Sequence, residues 1–194
     1  QAHAVKKMND KPDAYHCYLL QGITGSGKTE VYLQVIANVL AAGKQALVLV
    51  PEIGLTPQLL ARFKARFCIP VVSIHSHLND RERQIAWQLA AEEKVKLIIG
   101  TRTAVFTPLP ALGLIVIDEE HDASFKQMEG VRYSARDTAV VRAQAANIPI
   151  ILGSATPSLE SLYNCVHDKS TLLTLTQKAL NVTPLHYQIL DIRN

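Results

Sequence analysis

Gly22-Ile23-Thr24-Gly25-Ser26-Gly27-Lys28-Thr29 decides the reading of this chain. The stretch matches GxxxxGK[ST] in full. A short apolar run, His16 to Leu20, leads into it, and an amphipathic stretch, Lys28 to Ala42, follows and stops at Gly43. Strand, glycine-rich loop and helix in that order make a phosphate grip. The glycines let the backbone wrap tightly and aim its N–H groups inward, where the positive end of the following helix reinforces them. All eight residues, Gly22, Ile23, Thr24, Gly25, Ser26, Gly27, Lys28 and Thr29, are therefore expected to bind nucleotide. Lys28 is expected to reach the β- and γ-phosphates, and Thr29 to place its hydroxyl on Mg²⁺.

Outward from the loop, apolar runs of strand length recur at Ala46–Val50, Val71–Ile74, Val95–Ile99, Leu114–Ile117 and Ile148–Leu152. They are almost unbroken in Val, Ile and Leu, as strands covered on both faces are. Amphipathic stretches lie between them: Thr56–Phe67, with Thr56 as N-cap and Pro57 at the first helical position, then Asn79–Glu93, Ala135–Ala146 and a shorter Ser158–Val166. The alternation predicts an α/β fold with a mainly parallel sheet and helices on both faces, joined by right-handed crossovers. It fades after residue 176, so residues 1–176 are expected to form one lobe and 177–194 a linker.

The bulk composition agrees. With 194 residues and 48% of them hydrophobic, the chain can bury a core. No apolar run reaches the roughly 20 residues of a membrane helix. The polar N-terminus lacks a signal-peptide pattern, and a chain opening on Gln1 rather than Met suggests a segment of a longer protein. A net charge of +3 permits nucleic-acid binding without requiring it. Cys17, Cys68 and Cys165 form no CxxC pair, which points to a reducing, cytoplasmic setting. His75 and His77 lack a third ligand nearby and read as surface or hydrogen-bonded residues. Trp87 reads as core, and Arg81, Glu82 and Arg83 as a solvated helix face.

The run Leu114–Ile117 enters Asp118-Glu119-Glu120-His121 directly. A buried strand ending in carboxylates puts them at the C-terminal edge of the sheet, where ligands of open α/β sheets bind and where the phosphate loop also emerges. Asp118 is expected to hold Mg²⁺ through its hydration shell, and Glu119 to orient and deprotonate the attacking water. Asp118, Glu119 and Lys28 form the expected catalytic set.

Asp118-Glu119-Glu120-His121 resembles the DExH box of superfamily 2 helicases. Val50-Pro51-Glu52-Ile53-Gly54-Leu55-Thr56-Pro57-Gln58, Gly100-Thr101-Arg102-Thr103-Ala104 and Gly153-Ser154-Ala155-Thr156-Pro157-Ser158 resemble its motifs Ia, Ib–Ic and III. Together they resemble the PriA family of bacterial primosomal helicases over nearly the whole chain. The resemblance implies a RecA-like P-loop NTPase lobe, the first of two, using ATP and Mg²⁺ in a 3′→5′ DNA helicase that restarts stalled forks. Gln1 would read adenine. Thr101 and Arg102 would touch the single-strand backbone. His121, Ser154 and Thr156 would couple ATP state to DNA grip. The 122–136 stretch resembles an aromatic-rich loop that senses DNA, with Phe125 and Tyr133 to stack on bases and Lys126, Arg132 and Arg136 to hold phosphate. Ser134 stands where the family commonly has His. Implied partners are single-stranded and forked DNA and, through the whole protein, primosome and single-strand-binding proteins, with no membrane and a nucleoid-associated place in the bacterial cytoplasm. Zinc belongs to a part of the family's architecture outside these residues. A lone lobe implies little or no hydrolysis.

Two other readings stay open at this level. One is a nucleotide-dependent DNA- or protein-binding module that does not translocate. The other is a different P-loop enzyme such as a small-molecule kinase, against which the Gly-Ser-Ala-Thr segment and the carboxylate–His box both count.

Overall fold

The computed structural model describes residues 1–10, 12 and 14–177. Seven parallel strands form its sheet: β1 (His16–Gly22), β2 (Gln45–Leu49), β3 (Val71–Ile74), β4 (Leu97–Gly100), β5 (Leu112–Ile117), β8 (Pro149–Ser154) and β9 (Thr171–Leu175). Their spatial order is β3-β4-β2-β5-β8-β1-β9. A two-stranded antiparallel ribbon, β6 (Lys126–Gln127) with β7 (Tyr133–Ser134), stands apart from it. The helices are α1 (Ala2–Asn9), α2 (Lys28–Ala41), α3 (Pro57–Phe67), α4 (Asp80–Ala91), α5 (Ala135–Ala145) and α6 (Leu159–Val166).

Period-two alternation divides each strand between two cores. Leu20, Val48, Ile99, Val116 and Ile151 face α1, α2 and α3, whereas Leu19, Leu49, Ile98, Ile117 and Leu152 face α4, α5 and α6. Every central strand is thus covered twice, which explains the unbroken apolar runs. The predicted doubly covered parallel sheet is the one observed.

Several helix ends follow from local chemistry. Thr56 accepts the Leu59 N–H with Pro57 in the first turn. Asn79 and Glu82 close a reciprocal capping box, so Glu82 has a defined partner on what otherwise reads as a solvated face. Gly43 ends the α2 region at φ +76°, a conformation glycine adopts freely.

Two elements differ from expectation. Helix α1 buries Ala4 and Met8, one turn apart, with Val5 partly buried beside them. Strand β9 pairs with β1 at the sheet edge and buries only Leu173 and Leu175. The expected linker lies, beyond residue 177, outside the described residues.

Candidate nucleotide site and helicase motifs

The loop between β1 and α2 turns through two left-handed glycines, Gly25 at φ +81° and Gly27 at φ +89°. A Cβ on Gly25 would meet nothing, so conformation rather than space requires glycine there. Gly22 differs, because a Cβ there would overlap the Ser26 hydroxyl. The Ser26 N–H closes the turn onto the Ile23 carbonyl at 3.0 Å, while its buried Oγ has no hydrogen-bond partner. Gln1 reaches this loop, its side-chain amide donating to the Ser26 carbonyl at 2.9 Å. Ile23, Thr24 and Gly25 are exposed at the tip, and Thr29 is half-buried in the first turn of α2.

Helix α2 carries the loop to the carboxylates. Lys28 and Tyr32 are one turn apart and so share a face. The Lys28 ammonium, on a residue 8% exposed, donates to the Gly22 carbonyl at 2.8 Å and lies 3.5 Å from Glu119 Oε1. The Tyr32 hydroxyl donates to Asp118 Oδ1 at 3.0 Å. Strand β5 ends where the Asp118 N–H meets the Leu49 carbonyl of β2, and Glu119 then turns at φ +48°. A left-handed glutamate directly after a buried strand is uncommon, and such conformations concentrate at working sites. The glycine loop and the acidic strand end therefore converge on one edge of the sheet, with β8 between β5 and β1.

Burial, and then the neighbouring Glu119 charge, hold the Asp118 carboxyl above its ordinary range, while burial and Asp118 raise Tyr32 well above the usual phenol. Two adjacent carboxylates thus share one ammonium, a donor set short of positive charge. With the Thr29 hydroxyl nearby in sequence, this chemistry fits Mg²⁺, which needs only one or two protein carboxylates and keeps several waters. The orphaned Ser26 Oγ and the positive-φ loop likewise fit a phosphate ligand.

The raised Asp118 value has a consequence for stability. The folded chain holds this proton to higher pH than the unfolded chain does, so stability falls as pH rises between the two values, and the deficit is complete above the folded one. Asp118→Asn is therefore expected to raise the urea midpoint at neutral pH. The gain should vanish in acid, below the ordinary carboxylate range; a gain that persists there would remove protonation as its cause.

Strand β8 supplies Gly153, where a Cβ would overlap the Tyr32 hydroxyl. Gly153→Ala is expected to cost about 1–3 kcal/mol by overpacking. Removing the hydroxyl as well, in Gly153→Ala with Tyr32→Phe, should recover part of that loss. Equal melting temperatures for wild type and Gly153→Ala would mean that Tyr32 is not wedged there.

The remaining expected residues divide. His121 Nδ1 lies 2.7 Å from Ser154 Oγ and 3.6 Å from Glu119 Oε2, and its Nε2 lies 3.4 Å from Thr156 Oγ1. The Thr156 N–H donates to Ser154 Oγ at 2.9 Å, so these three form one cluster beside Glu119. Lys126 and Arg132 are exposed, and Tyr133 meets Phe106 edge-on at 5.0 Å between ring centroids. Four residues depart from expectation. Arg136, expected to hold phosphate, is nearly buried and donates instead to Glu120 at 3.1 Å and Ser158 at 2.8 Å. Phe125 is 2% exposed and packs in the α4–α6 core, so its ring is closed to a base; Phe106, 49% exposed and not singled out from sequence, is the open ring beside Tyr133. Thr101 is buried. Arg102 donates to the Ser124 and Lys126 carbonyls, each at 3.1 Å, and so braces the loop from within rather than presenting a free guanidinium.

Tyr32, Gly153 and Phe106 were not singled out from sequence. The signal for Tyr32 is its one-turn spacing from Lys28. The other two depend on contacts between segments distant in the chain.

Comparison with known proteins agrees with this architecture. The DEAD/DEAH box helicase family pattern matches residues 1–165. Replication restart protein PriA of Haemophilus influenzae is 50% identical over 180 residues, covering 93% of this chain and 25% of that protein. Its Bacillus subtilis counterpart is 45% identical over 181 residues, covering 93% and 22%. The chain thus spans about a quarter of the length of these relatives. Among solved structures, RecG bound to a three-way DNA junction superposes with TM-score 0.64 at 22% identity, covering 92% of this chain and 24% of that one. The Hef helicase domain of Pyrococcus furiosus gives 0.62 at 19%, covering 90% and 37%. Both likenesses show the RecA-like fold. By its sequence pattern the chain belongs to the DEAD/DEAH box helicase family, and it is similar there to the PriA replication restart proteins.

Proposed function

We propose that this chain is the ATP–Mg²⁺-binding lobe of a 3′→5′ DNA helicase that restarts stalled replication forks by assembling a primosome. The observation that carries the reading is the meeting of the glycine loop with the acidic strand end: Lys28 stands 3.5 Å from Glu119, and Tyr32 from the same helix turns on Asp118 at 3.0 Å. Phosphoryl transfer needs mainly positioning and charge neutralisation, and this edge offers both.

The loop from Gly22 to Gly27 surrounds the phosphates, Lys28 neutralises them, and Gln1, whose amide reaches the Ser26 carbonyl of that loop, reads adenine. Thr29 and Asp118 hold Mg²⁺, which when bound offsets phosphate charge. Glu119 takes the proton of the attacking water. His121, Ser154 and Thr156 pass nucleotide state onward. Single-stranded or forked DNA lies against the 126–133 stretch, where Lys126, Arg132 and Tyr133 offer charge and a ring.

A second lobe contributes arginine fingers, an effect on the order of 10³–10⁵ in rate, so the 194-residue chain alone turns over ATP barely, if at all. Primosome and single-strand-binding proteins are partners of the whole protein, at the nucleoid of the bacterial cytoplasm. Among the described residues no helix is long and apolar enough to cross a membrane.

The test is calorimetric titration of the chain with ATP, with and without Mg²⁺. Saturable, Mg²⁺-strengthened binding is expected. Its absence, or binding indifferent to the metal, would overturn the reading.

A further inference from the structure

Among the described residues, Lys28 and Glu120 are the charged side chains buried below a tenth of their surface. Lys28 belongs to the phosphate loop. Glu120, 2% exposed, lies between Glu119 and His121, and the proposed reaction gives it no task.

Both oxygens of its carboxylate accept hydrogen bonds. Oε1 accepts the Ser158 N–H at 2.7 Å. Oε2 accepts the Ser161 hydroxyl at 2.9 Å, the Ser158 hydroxyl at 3.1 Å and the Arg136 guanidinium at 3.1 Å. Arg136 also donates to Ser158 Oγ at 2.8 Å and to Asp137 at 2.9 Å. Three segments therefore meet on one carboxylate: the 118–121 turn, the first turn of α5 directly after the ribbon strand Tyr133–Ser134, and the N-cap of α6 directly after the 154–157 loop.

A buried ion pair is poor economy for stability alone, because apolar residues of the same volume serve as well or better. Its strength is geometric: a guanidinium that donates to Glu120, Ser158 and Asp137 and a carboxylate that accepts four hydrogen bonds tolerate few arrangements. The 154–158 loop is held to the turn at two points, His121 to Ser154 and Glu120 to Ser158, one on either side of the peptide between them. Displacement of the 126–134 ribbon or of α6 must pull on Glu120, whose neighbour is Glu119.

We infer that Glu120 and Arg136 are a positioning pair, which transmits the state of the exposed basic ribbon to the Glu119 carboxylate through the 118–121 turn. The inference rests on the proposed function, since it takes nucleotide at Lys28 and single-stranded DNA at the ribbon. It concerns the link between them.

The experiment measures linkage on the 194-residue chain. Mg²⁺–ATP affinity is determined by calorimetry with and without a saturating oligo-dT, and the ratio is the coupling factor. Wild type is expected to give at least about 5-fold, the lower end of ordinary coupling between sites. Glu120→Gln keeps the acceptor for the Ser158 N–H but loses the charge. It should bring the ratio near one while each ligand alone binds within about twofold of wild type. Arg136→Lys, which keeps the charge without the fork, should retain part of the coupling.

Because removing one partner strands a buried charge, Glu120→Gln is paired with Glu120→Gln plus Arg136→Met, which removes both. The double variant should regain melting temperature without regaining coupling. Coupling that returns with stability, or that survives Glu120→Gln, would show the pair to be packing only. A wild-type ratio of one with both ligands bound would sink this inference alone. Failure of the wild type to bind nucleotide would sink the proposed function and this inference with it.

Discussion

Lys28→Ala is expected to weaken Mg²⁺–ATP binding roughly 100-fold, from charge-assisted hydrogen bonds of about 1.5–3 kcal/mol to phosphate. The ammonium already sits at the mouth of the loop, on the Gly22 carbonyl and beside Glu119. It can turn from those partners to phosphate with little rearrangement, so the folded chain holds it ready. The variant also leaves Glu119 facing Asp118 without a compensating charge, which raises electrostatic strain at the strand end and should lower thermal stability modestly. Circular dichroism must therefore show a folded variant at the titration temperature. Lys28→Arg is the sharper control. It keeps the charge but replaces a compact ammonium by a planar fork that the Gly22–Glu119 gap does not suit, and should bind nearly as poorly as the alanine variant. Undiminished affinity in folded Lys28→Ala would remove the phosphate grip from the account.

The parts of this molecule that sequence made legible are those whose chemistry is local. The eight residues from Gly22 to Thr29 are contiguous, and their glycines are required by backbone conformation at Gly25 and Gly27 themselves. Strands covered on both faces announce themselves because apolar residues fill both faces. Strand β9 escaped because an edge strand buries only alternate residues, here Leu173 and Leu175. Helix α1 escaped because Ala4 and Met8 are too sparse a stripe to stand out among lysines. Long-range partnership was the harder part. Nothing adjacent to Tyr32 in the chain says that it meets Asp118, nor does the identity of Glu120 foretell a guanidinium from α5. In each case the register of the sheet makes the pairing, by setting β5, β8 and β1 side by side.

Phe125 shows the same limit from the other side, and gives the largest expected loss of stability. The family resemblance implies for Phe125 a ring free to stack on a base. The fold makes it otherwise: Asp122 caps the Ser124 N–H, a single turn forms over Ala123–Phe125, and the ring enters the core that α4, α5 and α6 cover. Phe125→Ala is expected to cost about 3–5 kcal/mol, as truncation of a fully buried ring does, and at this chain length each kcal/mol lowers Tm by about 2–4 °C. Tyr133→Ala should behave in the opposite way. Its ring is half-buried and edge-on to the exposed Phe106, so stability should fall by about 1 kcal/mol or less, while loss of a stacking platform should weaken oligo-dT binding by about 1–3 kcal/mol. Melting curves and fluorescence anisotropy on the two variants separate the roles. If Phe125→Ala melts with wild type and loses DNA affinity instead, its ring leaves the core to meet the strand, and the carbonyls that Arg102 now grips must be released for it to do so.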